Sequence, residues 1–277
     1  MILLLAALIQ AAPAAVPAVT ANHAAVPAAP AKATVPNVDA RELRFARCRA
    51  LAQTDPAAAQ AEALRWSLRG GGYFARQCNG LALAQQGDFA AAALAFTAAA
   101  KAADAAHDKR AANYWAQAGN AQLAAGDVPA ARVSLDTALV AGTLEGLALG
   151  EARLDHARAL VAANDLPAAR RDLDLALAQA SDDPLAWLLS ATLARRMNNL
   201  TRARTDIGEA LRRSPDDASV QLEAGNIAAL AQDEAGARAA WSAAARLAPD
   251  APAGRNARAA LAQFGDAPAA AKPPTGR

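Results

Sequence analysis

Aromatic residues are scarce in this chain, with five Phe, four Trp and two Tyr among 277 residues. Strand signals, which rest on β-branched and aromatic side chains alternating with polar ones, are essentially missing; the core must therefore be built from helices. Histidine is rarer still. None of His23, His107 and His156 stands at a ligand spacing from another His, a Cys or a pair of carboxylates, which argues against zinc and any other metal. Asp155 and His156 are sequence neighbours and point to different parts of a helix surface, so they are no catalytic pair by themselves. Serine and threonine are scattered without a nucleophile elbow. The triple glycine at Gly70, Gly71 and Gly72 lacks the Gly-Lys-Ser/Thr ending of a phosphate loop and reads as a helix stop. With no set of catalytic residue types to assemble, the chain is expected to be no enzyme and to need no cofactor. A surplus of one charge is absent too. The formal net charge is +2 with both signs dispersed, which excludes a nucleic-acid stripe and a polyacidic tail. Long apolar runs are also lacking: residues 2–9 form the longest at the start of the chain, well short of the roughly 20 needed to span a membrane.

Alanine is abundant, and it recurs with a fixed period. Residues 184–217 form a unit of 34 residues in which Trp187, Ala191 and Ala194 fall on one periodic helix, Ala203, Ile207 and Ala210 on a second, and Pro215 near the end. Aligning to that unit places further copies at 73–106, 112–145, 150–183 and 218–251. Their eighth positions are Gly80, Gly119, Ala157, Ala191 and Gly225, and their twentieth positions Ala92, Ala131, Ala169, Ala203 and Ala237. No large residue occurs in either column, as expected where two antiparallel helices approach closely. The twenty-seventh positions are all Ala, whereas the twenty-fourth, Phe96, Leu135, Leu173, Ile207 and Trp241, are large enough to fill the space between helices. Between the paired helices Gly87-Asp88, Gly126-Asp127, Asn164-Asp165 and Asn198-Asn199 recur, with Gly or Asn suited to a left-handed helix stop. A chain this rich in alanine puts Ala at many spacings by chance. The glycines, the large apolar column and the turn residues do not share that weakness.

The order and spacing resemble the tetratricopeptide repeat, whose signature sets Trp, Leu, Gly and Tyr on a first helix, Ala and Phe on a second, and Pro at the end. The resemblance implies an all-α fold, a right-handed α-α superhelix, and a concave groove lined by the first helix of each repeat that receives an extended peptide or a helix. Groove residues implied in this way include Asn113, Asn120, Arg158, Leu188, Arg195, Arg196 and Asn226. Asn side chains bond both donor and acceptor of a peptide backbone. The three arginines gather positive charge and point to an acidic or carboxylate-bearing peptide, unless they are solubilising charges or ion-pair partners. The Lys and Asn constellation with which chaperone-binding relatives clamp a terminal carboxylate is not reproduced, since position six of the 112–145 repeat is Gln117.

Outside the repeats, residues 1–21 read as a secretory signal peptide, with a short apolar run followed by small residues; a misplaced start or a short tail are the alternatives. Export to the periplasm or secretion, with no stable membrane span after signal cleavage, follows from the first reading, and a cytoplasmic protein from the others. Residues 22–38 are a Pro- and Ala-rich linker, and 39–72 a degenerate helical hairpin. Residues 252–265 suit a helix that caps the last repeat, and 266–277 a disordered tail. Spacings of 39 and 38 residues between the first eighth positions leave small excesses around 101–110 and 142–146, expected in connectors or extended second helices. The only cysteines, Cys48 near position eight of the degenerate hairpin and Cys78 at position six of the next repeat, are expected on adjacent first helices. They form either a disulfide, if the chain is exported, or two buried thiols. Two functions remain open: a peptide-binding scaffold of the cell envelope, and a structural spacer of an envelope complex with its groove unused.

Overall fold

The computed structural model describes residues 39–264. The signal peptide, the linker, the last residue of the capping helix and the tail expected from sequence lie outside the described residues. Among those described there is no strand, and thirteen helices follow one another. A hairpin of α1 (Ala40–Thr54) and α2 (Pro56–Leu68) leads into α3 (Gly72–Gln85) and α4 (Phe89–Ala105), then α5 (Ala111–Ala124) and α6 (Val128–Val140). The array continues with α7 (Gly146–Ala162) and α8 (Leu166–Gln179), α9 (Pro184–Arg196) and α10 (Leu200–Arg213), and α11 (Ala218–Leu230) and α12 (Glu234–Leu247). It ends on α13 (Pro252–Gln263).

The small and large columns meet between paired helices. Ala92, Ala131, Ala169, Ala203 and Ala237 are all fully buried, as are Ala99, Ala138, Ala176, Ala210 and Ala244. A methyl group on Gly80 would stand 2.6 Å from the Phe96 ring. Gly119 and Gly225 are closed off in the same way by Leu135 and Trp241, so each missing side chain is the space into which the large residue of the partner helix fits.

The turns inside the pairs are equally regular. Gly87, Gly126, Asn164 and Asn198 all have positive φ, from 58° to 83°, and the next residue caps the second helix. Asp88, Asp127, Asp165 and Asn199 each accept a hydrogen bond from the N–H three residues on, at 3.0–3.2 Å in each case, while their own N–H closes back on the first helix, as Asp88 does to the Leu83 carbonyl at 3.0 Å. One side chain thus stops a helix and its neighbour starts the next.

Only the second spacing excess departs from expectation. The first is taken by a long second helix, α4, and the loop after it; the second is shared between the loop after α6 and an early start of the first helix α7 at Gly146, whose φ is 52°. Successive first helices touch, α5 with α7, α9 with α11 and α11 with α13, whereas no two successive second helices make comparable contact. The first helices therefore occupy the inner, shorter side of the curve.

Candidate functional site

The inner face is built from α3, α5, α7, α9 and α11, whose polar side chains bond across from α3 to α5, from α5 to α7 and from α9 to α11. Gln77 on α3 donates to Gln117 on α5 at 3.1 Å. Further along, the Asn120 amide on α5 donates to Asp155 on α7 at 2.7 Å, and Arg158 holds the other oxygen of the same carboxylate at 2.7 Å. Next, Arg195 on α9 grips Glu223 on α11 through two bonds of 2.6 and 3.1 Å. Asn226 donates to Glu223 at 3.2 Å and accepts from the Trp241 indole at 3.1 Å, which ties the inner face to α12 behind it.

The residues singled out from sequence thus have three fates. Asn120, Arg158, Arg195 and Asn226 reach the inner face and are engaged there. Asn113 and Arg196 are exposed and have no side-chain partner among the described residues. Leu188 is 7% exposed and packs with Ala191, Ala203 and Ile207, so it serves the core and offers almost no surface to a ligand.

Sequence reasoning missed the carboxylates. Asp155 and Glu223 both occupy position six of their repeats, where Gln117 also stands, and each is reached by a residue at position nine of its own helix and by a donor from the first helix before. Burial pushes the Asp155 carboxyl up against the pull of Arg158 and Asn120. Burial, and then the like charges of Asp155 and Asp183, push Glu151 up. The positive charge that the arginines bring is therefore largely answered within the face itself.

His156 lies behind this face. Its Nδ1 is 2.5 Å from Asp172 on α8 and its Nε2 is 3.1 Å from Asp136 on α6, so the ring bridges two second helices and belongs to the scaffold. At the first-repeat end, Arg110 closes bidentately on Asp108 at 2.6 and 2.8 Å, reaches Glu42 on α1 at 2.9 Å and lies 4.6 Å above the Phe74 ring. The Arg110 guanidinium holds the Asp108 carboxyl far below the usual carboxylate range. Among the described residues, no group of three or more His, Cys, Asp or Glu side chains is placed to hold a metal, and no helix is long and apolar enough to cross a membrane.

Cys48 and Cys78 face each other between α1 and α3, with Cα atoms 6.0 Å apart, a separation that a disulfide spans without backbone movement.

No family model matches the chain and no curated protein matches it. Solved structures do. PilW, a widely conserved type IV pilus biogenesis factor, superposes with a TM-score of 0.66 at 14% identity over 79% of this chain and 98% of its own. PilF of Pseudomonas aeruginosa gives 0.64 at 13% identity over 79% of this chain and 99% of its own. YrrB, a TPR protein with an unusual peptide-binding site, gives 0.50 at 19% identity over 67% and 91%. The fold is a tetratricopeptide-repeat solenoid. At these identities the likeness establishes the architecture alone.

Proposed function

We propose that the protein is a non-catalytic interaction scaffold of the cell envelope, which holds an extended peptide or a helix of a partner protein against its first helices. The observation that carries this reading is the inner face itself, where Gln117, Asn120, Arg158 and Arg195 stand on α5, α7 and α9, held by bonds that join α3 to α5, α5 to α7 and α9 to α11. Such preorganised amides bond a peptide main chain with little loss of side-chain freedom. The pairing of Arg158 with Asp155 and of Arg195 with Glu223 favours recognition of main-chain groups over a demand for an acidic ligand, and leaves Arg196, of the three arginines, without an ion pair among the described residues. The peptide-binding site named for YrrB and the type IV pilus biogenesis role named for PilW are consistent with binding and with the envelope. The apolar start of the sequence supports export, and export in turn supports a bond between Cys48 and Cys78.

One observation favours a second reading, in which the array docks by its outer side. Leu64, Leu68, Leu94, Val133 and Val140 are exposed on α2, α4 and α6, all on the outward face of second helices. Capture of partners from the periplasmic fraction separates the two. The protein is expected to retain its partner when Leu94 and Val133 are replaced by Ser, and to lose it when Asn113 and Arg196 are replaced by Ala. The reverse pattern would establish the outer face as the docking surface, and a protein absent from that fraction would remove the envelope from the proposal.

A further inference from the structure

We infer that the Cys48–Cys78 bond is a latch on the terminal helix: closed, it holds α1 against α3, and opened by a dithiol reductant it frees α1 while α2 to α13 stay folded. This rests on the reading that the two cysteines are bonded. Helix α1 has little else to hold it. Ten of its fifteen residues are exposed and only Cys48 and Ala52 are buried, so without the cross-link its apolar anchors are Ala52, the Cys48 thiol and parts of Leu51 and of Phe45, whose ring lies 5.7 Å from that of Phe74. Its polar ties, Arg44 to Glu62 at 2.5 Å and Glu42 to Arg110 at 2.9 Å, join side chains about a third or more exposed, where ion pairs add little. Helix α2 is secured independently, since Ala59, Ala63 and Trp66 are all buried.

Access to the bond is one-sided. Cys78 is fully buried, whereas Cys48 lines a cleft of about 560 Å³ beside Leu43, Arg44, Arg47 and Leu51. Arg47 is exposed and forms no ion pair among the described residues, so its charge attracts an incoming thiolate. The thiolate of a dithiol attacks Cys48 Sγ, the S–S bond breaks, and its electron pair leaves on Cys78 Sγ, which takes up a proton. The second thiol of the reductant, as thiolate, then displaces Cys48 Sγ from the mixed disulfide. Cys48 also gains a proton, and the reductant departs as its own disulfide, oxidised by the two electrons the protein has received. Departure of α1 uncovers Phe74, Cys78 and Ala82 on α3 at one end of the inner face. In an oxidising compartment that end is closed; in a reducing one it is open.

Hydrogen exchange read by mass spectrometry on the full mature chain, with alkylation of free thiols measured alongside, tests the latch. Before reductant no cysteine should alkylate; after a small dithiol both should, and α1 amides should exchange about five hundredfold faster, as expected for opening a loop of this length, while α5 to α12 keep their rates. A Cys48→Ala, Cys78→Ala double variant should show the same fast α1 without reductant. Two alkylated cysteines before reduction would overturn the bond and the latch together. A bond that is present, with α1 exchange unchanged on reduction or with the whole array accelerating as one, would overturn the latch alone.

Discussion

At Ala203 a single methyl group sits between α10 and α9, fully buried against Ala191 and Ile207. The site has no room for a ring. Ala203→Trp is therefore expected to cost about 3 kcal/mol or more, the upper range for overpacking a close helix contact. Ala98→Trp, on the exposed face of α4, should stay within about 0.5 kcal/mol. Urea melts of the two variants check this, and equal midpoints would mean that the helix register is misplaced. Contacts of this kind are legible in sequence because they pair columns at fixed spacing: Gly80 with Phe96, Gly119 with Leu135, Gly225 with Trp241. The partners of the groove arginines were less legible. Asp155 and Glu223 look like ordinary solvated helix charges along the chain, because Asn120 and Arg195 reach them from the preceding repeat. The pairing of Arg158 with Asp155, three residues apart on α7, is legible from spacing, whereas the Glu223 partner of Arg195 would have shown only in the shared position six, compared across repeats.

Helix boundaries follow from turn chemistry, and the last turn shows its limit. Gln232 takes the place of the Gly or Asn of earlier repeats with φ 61°, and Asp233 after it still caps α12 through the Gly236 N–H at 2.9 Å. A side chain that pays the left-handed penalty persists here because the capping bonds and the packing of α11 on α12 fix the backbone. Gln232→Gly is expected to raise stability by about 1 kcal/mol, since glycine meets no Cβ clash in that conformation. A thermal melt no higher than that of the wild type would contradict it. The early start of α7 was not legible for a different reason. Gly142 and Gly146 bracket the segment after α6, and sequence offers no way to decide whether the surplus residues extend the helix before or the helix after.

Across the whole molecule, the exposed large apolar side chains of the second helices are concentrated toward one end: α2, α4 and α6 carry Leu64, Leu68, Leu94, Val133 and Val140, against Leu175 on α8 and Leu247 on α12. The repeat period could reveal the solenoid and the order of its helices, yet the period alone assigns no partner to either side. Photo-crosslinking in the native cell tests the functional proposal most directly, with a photoreactive residue placed at Asn113 on the inner face or at Val133 on the outer. A partner adduct formed at Asn113 and missing at Val133 is the predicted result; an adduct formed at Val133 and missing at Asn113 would contradict binding by the first helices.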